Sequence, residues 1–419
     1  MRINALRVRR TKMINKNIYQ FPIIYTNPIP KIVLGWGAYE TIADECKGVG
    51  IKKALIVTSG LKGTGIIDEI KAGLEYNGVA TDVFDNVSSN PRDYQVMEAY
   101  QAFMDSNSDG VVAIGGGSSI DAAKGLRVVA ANGGEEVTNF IALIDPPWME
   151  MMAKLKPCTI PQISVATTSG TGAEVTSWAA ISDTKRKAKV LVSAPNVHST
   201  VAVIDPLLAR LQNRQLAAWT GFDALAHGFE AFVTKVQGPY AYGMLLRAVE
   251  LIYKNLRDFV FNRMNNNACE RMCWASTMGG IAIGFGAGAG IVHGIGHQIS
   301  ALKDVHHGHI NAVLTLAGER YNQPAAIDKF AAMTRAMGID TTGMSQWEAA
   351  DCWFDEIENL LDDLEIIPGC LADQFGLEEA DLEHIVKIYS NDFCSQGNPK
   401  DLNQEEVLAL LKRLLHEPY

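Results

Sequence analysis

The chain has 419 residues, 47% of them hydrophobic, which is more core than one domain normally holds, so two domains are expected. A formal net charge of −10 argues against a general binder of nucleic acid or acidic membrane, which needs an excess of Lys and Arg, and points to a small-molecule enzyme. The seven cysteines are odd in number and contain no CxxC pair, so they read as reduced thiols of a cytoplasmic protein, with Cys269 and Cys273 in the core.

The opening stretch MRINALRVRRTKMINKN is basic and lacks both acids and an apolar signal core, so residues 1–18 read as a disordered tail, with Met13 as an alternative start. From about Lys31, short β-branched runs alternate with amphipathic ones. KKALIVTSG reads as a strand, GIIDEIKAGLEYNG as a helix, ATDVFDNV as a strand, DYQVMEAYQAFMDSNS as a helix and GVVAIGGG as a strand opening into a turn. Further strands are expected at PQISVATTS and STVAVIDP. This alternation predicts an α/β unit over residues 19–206, a parallel sheet with helices on both faces. After Asp205-Pro206 helical patterns dominate, and residues 207–419 are expected to be all-helical. The uncharged run 278–292 is rich in glycine and shorter than the ~20 residues of a membrane span, so it reads as a buried helix.

The segment GGGSSIDAAK (115–124) joins a predicted strand to a predicted helix. Its bare backbone N–H groups and the helix dipole suit a pyrophosphate, although glycine can also serve only to allow φ > 0. The spacing is neither GxGxxG nor a P-loop, so a different nucleotide-binding architecture is required. A second segment, TTSGTGAEVT (167–176), supplies hydroxyls at another strand end, where doubly wound sheets collect ligands; alone it is equally a capped helix start.

Six of the nine histidines fall between residues 227 and 309. Asp223 and His227 stand at i and i+4, as do His293 and His297, so each pair leaves one face of a helix. His306, His307 and His309 follow on a loop or helix start. A carboxylate and three imidazoles suit Fe(II), Zn(II) or another first-row dication with an open position for an alcohol oxygen.

Four segments, GGGSSIDAAK, TTSGTGAEVT, GFDALAHGFEA and GIVHGIGHQISALKDVHHGHINAVL, resemble the signature segments of the iron-containing (group III) alcohol dehydrogenases, in their order and spacing over roughly residues 20–400. The resemblance implies an N-terminal dinucleotide-binding domain, a C-terminal helical metal domain and a cleft between them. It implies Asp223, His227, His293 and His307 as metal ligands and His297 near the reacting centre. Asn90, Gly116, Gly117, Ser118, Thr167, Thr168, Thr171 and Lys189 fall at cofactor-contact positions, and Asp121 belongs to the same glycine turn. Ser59 stands after LIVT, where NAD-preferring relatives often carry an acid that holds the ribose; without it, NAD and NADP both remain open.

Some positions depart from the family pattern. The stretch before His293 is glycine-rich around Phe285, so either the substrate pocket is roomier or Phe285 fills it. Gln298 stands where proline is common, and Glu319 and Arg320 read as a surface ion pair. The expected reaction is hydride transfer between a small primary alcohol or diol and NAD or NADP. His297 is expected to relay the released proton through water, since an unperturbed imidazole titrates near neutrality. Rival readings are a glycerol dehydrogenase, a dehydroquinate-synthase-like enzyme of the same architecture, or a catalytically silent metal or nucleotide sensor. The Asp223/His227 pair and TTSGTGAEVT favour the alcohol dehydrogenase. No membrane or nucleic-acid partner is expected, and a homodimer or larger homo-oligomer is.

Overall fold

The computed structural model describes residues 28–142, 148–235 and 238–418, with the side chains of 148, 149, 286 and 287 left aside. The basic tail expected over residues 1–18 lies outside them. Among the described residues, eight strands are β1 (Lys31–Leu34), β2 (Lys53–Thr58), β3 (Ala80–Phe84), β4 (Gly110–Gly115), β5 (Gln162–Ala166), β6 (Ala179–Asp183), β7 (Ala188–Val192) and β8 (Val201–Ile204). Six of them form a parallel sheet in the order β1-β8-β5-β4-β2-β3. Four helices longer than five residues lie between these strands: α1 (Ile42–Gly48), α2 (Ile66–Tyr76), α3 (Asp93–Ser106) and α4 (Gly117–Ala131).

The alternation of strand side chains decides where the core sits. Leu55 and Val57 of β2, with Val111 and Ala113 of β4, pack on one face with Ala122 and Leu126 of α4. Ala54, Ile56, Val112 and Ile114 face the other way, against Ile66, Ile70 and Leu74, which recur every four residues on α2. Because helices cover both faces, β4 and β5 are buried along their whole length, and β4 reads as a continuous apolar run.

Two features were not anticipated. β1 pairs with β8 and extends the sheet by one strand. Between β5 and β8 the chain makes an antiparallel hairpin, β6 with β7, in place of a crossover helix. Its turn is tied by the Asp183 carboxylate, which accepts the N–H groups of Lys185 (3.0 Å) and Arg186 (2.9 Å). The hairpin matters because β7 carries Lys189.

After Ile204 the described chain is helical; a single turn at Pro206–Ala209 is followed by the longer helices α5 (Arg214–Val233), α6 (Pro239–Phe261), α7 (Asn266–Ala282), α8 (Ile291–Lys303) and α9 (His307–Asn322). The start of α5 is set by the Asn213 side chain, which accepts the Leu216 N–H at 2.8 Å. The run 278–292 is not a single helix. Glycine breaks it: α7 ends at Ala282, a π-helical turn spans Ile283–Ala287, Gly288 takes φ 69°, and α8 begins afresh. His293 and His297 therefore stand in the first two turns of a new helix and not at the end of an old one. No helix among the described residues is long and apolar enough to cross a membrane.

Candidate active site

Every residue expected to bind metal, contact cofactor or relay a proton lines one cleft of about 860 Å³ between the carboxyl ends of the strands and the first helices after them. On the sheet side, β4 ends at Gly115 and α4 starts at Gly117, with no side chain capping its first N–H groups. Gly115 has φ 152°, and a Cβ there would lie 2.3 Å from Ser119 Oγ; a Cβ on Gly117 would lie 2.9 Å from Thr171 Cγ2. The two sequence segments thus face each other closely enough that only glycine fits, leaving a bare helix N-terminus beside the hydroxyls of Ser118, Thr168 and Thr171. Such a cradle fits a pyrophosphate. Ser59 bonds Ser119 Oγ at 2.9 Å, and the Asp121 carboxylate accepts the Ala180 N–H at 3.0 Å.

At the junction of sheet and helices, Lys189 Nζ donates to Asn90 Oδ1 at 3.0 Å, and Asn90 Nδ2 donates to the Val305 carbonyl at 3.0 Å. Burial pushes the Lys189 ammonium down to about 8, with Asp121 and Asp223 opposing.

On the helical side, α5 carries Asp223 and His227 one turn apart, α8 carries His293 and His297, and α9 opens with His307. Ligand atoms of Asp223, His293 and His307 lie within 4.8 Å of one another. His293 Nε2 and His307 Nε2 stand 3.5 and 3.6 Å from Asp223 Oδ1. His227 is outside that tight group but adjoins it, its ring stacked on His293 at 4.3 Å and hydrogen-bonded to the Gly170 backbone. His293 Nε2 is buried and has no hydrogen-bond partner. An orphaned imidazole nitrogen aimed at a buried carboxylate, among further imidazoles, fits a divalent cation.

The electrostatics of Asp223, His227 and His307 agree with that fit. Burial alone would push the Asp223 carboxyl up, but His227, His307 and His293 hold it well below the usual carboxylate range. Burial pushes His227 down to about 4, helped by His293, and pushes His307 well below its ordinary value. Both are neutral near pH 7, the form that binds metal. For His293, burial is outweighed by Glu230 and Asp223, which hold it up at about 10. His297 does not titrate near neutrality as expected: burial, Lys189 and His293 push it well below its ordinary value. It is a neutral imidazole, stacked on His307 at 5.0 Å.

Glu230 and Asn311 escaped the sequence reading. Glu230 completes an i, i+4, i+7 series with Asp223 and His227, and its carboxylate meets His293 Nδ1. Asn311, one turn after His307, donates to Asp223 Oδ1 at 2.8 Å. Helical spacing carried both signals. Phe393, Cys394 and Gln396, which also line the cleft, come from a distant segment that nothing in the local sequence marks.

Two departures resolve. The expected surface pair of Glu319 and Arg320 is not formed: Glu319 is fully buried and bonded by Asn322 Nδ2 at 3.2 Å, while Arg320 bonds Asp351. Consecutive residues on a helix diverge by about 100°, so one turned inward and one outward. Phe285 does not line the cleft but packs edge-on to Tyr240 at 6.4 Å, leaving Ile283, Gly284 and Gly288 at the wall.

Comparison with known proteins agrees with this geometry. The pattern of "Iron-containing alcohol dehydrogenase" matches residues 29–206, and that of "Fe-containing alcohol dehydrogenase family, C-terminal" matches residues 217–415. The chain is 35% identical to a methanol:N,N-dimethyl-4-nitrosoaniline oxidoreductase of Rhodococcus erythropolis, over 96% of this chain and 98% of that one. It is 33% identical to an NAD-dependent methanol dehydrogenase of Bacillus methanolicus, over 92% and 98%. A crystal structure of 1,3-propanediol oxidoreductase superposes with a TM-score of 0.86 at 32% identity, covering 94% of this chain and all of the other. Sequence, fold and cleft lead to one conclusion: the chain belongs to the iron-containing alcohol dehydrogenase family and is an oxidoreductase that interconverts alcohols and aldehydes.

Proposed function

We propose that the cleft binds NAD or NADP along its sheet wall and one Fe(II) ion along its helical wall, and that its substrate is a small primary alcohol or diol. The observation that carries this reading is the orphaned His293 Nε2 beside Asp223 and His307, in the same cleft as the bare N-terminus of α4. When bound, the cation supplies Lewis acidity toward the alcohol oxygen and the nicotinamide supplies the hydride acceptor.

The protein's own groups divide the remaining work. Asp223, His227, His293 and His307 hold the cation, and the same donors suit Zn(II) or another first-row dication. Gly116, Gly117 and Ser118 seat the pyrophosphate, with Thr167, Thr168, Thr171 and Asp121 around it, and Asn90 orients Lys189 toward the nucleotide. Ser59 carries no charge that would repel a 2′-phosphate, so both cofactors fit. His297, a neutral imidazole lining the cleft, accepts a hydrogen bond on the path by which the alcohol's proton leaves through water, as a weaker base than a free imidazole because burial lowers it.

The relatives named for methanol and the structure named for 1,3-propanediol support a short substrate. Residues 19–206 and 207–419 are assigned as the nucleotide and metal domains. All seven cysteines are free, which supports a cytoplasmic location, and exposed apolar side chains such as Met264 and Trp274 support a homodimer or larger assembly.

The test is a grid of short alcohols and aldehydes against NAD and NADP, using metal-stripped protein restored with Fe(II), Zn(II), Mn(II) or Ni(II). Metal-dependent formation of reduced cofactor is expected. Tight nucleotide binding with no such turnover on any alcohol would overturn the reading in favour of a silent sensor.

A further inference from the structure

We infer that Glu230 is the positioning residue of the metal centre, holding His293 in the orientation that aims Nε2 at Asp223. The inference rests on the proposed ligand set. Glu230 is fully buried on α5, seven residues and about two turns beyond Asp223, on the same side of the helix. Its carboxylate reaches across to the first turn of α8. Oε1 accepts the N–H groups of Gly290 (3.0 Å) and Val292 (2.9 Å), Oε2 accepts that of His293 (3.1 Å), and Oε2 also meets His293 Nδ1. Gly290 makes this approach possible, since a Cβ there would stand 3.0 Å from Oε1.

One side chain therefore ties both the backbone and the ring of the same histidine. In the neutral ring, an Nδ1 proton donated to Oε2 leaves the lone pair on Nε2, the nitrogen that faces Asp223 at 3.5 Å.

Glu230 caps this turn, but capping by itself does not require a charge. Asn398 caps one N–H of the same turn with a neutral amide: its Oδ1 accepts from Ile291 at 3.1 Å. A fully buried carboxylate is expensive unless its charge is answered, and among the described residues its only ion-pair partner is His293. A charge that a neutral amide could replace as a cap is retained where it touches a ligand. Carboxylate–imidazole contacts of this kind fix tautomer and ring plane and raise the ligand's donor strength, and their loss weakens metal binding roughly 10- to 100-fold.

Zn(II) affinity of the full-length, metal-stripped protein, measured by chelator competition, tests this, with unfolding of the metal-free protein measured alongside. The Glu230→Gln variant should bind Zn(II) roughly 10- to 100-fold more weakly. Asn398→Ala should lower the stability of the metal-free protein and leave Zn(II) affinity within about twofold, separating helix capping from ligand positioning. Glu230→Gln binding Zn(II) within about twofold of wild type would overturn the inference. If Glu230→Gln does not fold, Glu230→Asp, which retracts the carboxylate by one methylene, should still weaken Zn(II) several-fold, and an unchanged affinity there overturns it equally. Failure of the underlying ligand set looks different: wild type would not bind Zn(II), or His293→Ala would bind it as wild type does.

Discussion

Replacing Glu174 with Gln isolates what one buried carboxyl beside the nucleotide cradle does to stability. Glu174 is 3% exposed, in the 3-10 turn Ala173–Val175. Burial raises its carboxyl from 4.5 to about 7, with Lys124 and a hydrogen bond from Thr277 holding it from going higher. Below pH 4.5 the carboxyl is protonated in both folded and unfolded chains. Between 4.5 and 7 the folded protein keeps a proton that the unfolded chain has lost, so stability from this group is full at low pH and is lost as pH rises through 7. Each pH unit is worth about 1.4 kcal/mol, which gives about 3 kcal/mol across the window. Gln is nearly isosteric and uncharged throughout. The stability of Glu174→Gln relative to wild type should therefore grow by about 3 kcal/mol between about pH 5 and pH 8. Denaturant unfolding of the metal-free protein at intervals across that range reads the difference directly. A gap that does not change with pH, or one that moves against the variant at pH 8, would refute the reasoning.

Three further perturbations have outcomes set by the geometry. A Cβ on Gly308 would lie 2.3 Å from the Trp219 carbonyl oxygen, so Gly308→Ala should pry α9 from α5, lower stability by about 2 kcal/mol and carry His307 away from Asp223; unchanged melting with full metal retention would contradict this. His297→Ala should leave Zn(II) affinity within about twofold while kcat falls roughly 100-fold, and wild-type kinetics would remove His297 from the reaction. A Cβ on Gly284 meets nothing within 4 Å although the residue is buried at the cleft wall. Gly284→Val should shift kcat/KM toward methanol over longer primary alcohols by roughly 10-fold, and an unaltered chain-length profile would show that this wall does not contact the substrate.

Much of the fold was legible because its signals are local. Strand–helix alternation through the first half predicted the parallel sheet, and the four-residue spacing of Asp223 and His227 sufficed to place both on one face of α5. The hairpin β6–β7 went unread although AKVLVS after a polar turn carries a strand signal, because no element was assigned between the strands at PQISVATTS and STVAVIDP. The same helical spacing that exposed Asp223 and His227 also marks Glu230, but a glutamate on an apolar helix declares a role only once its partner on α8 is in view.

By itself the chain determined most of the element types, the glycine turn and the residues from which a metal site could be built, since these depend on periodicity and backbone sterics within one element. Burial and convergence belong to the folded molecule. Only tertiary packing turned Glu319 inward, kept His297 neutral and brought His293 from α8 against Glu230 from α5. Desolvation and charge–charge contact act through space, between segments that sequence order does not place together.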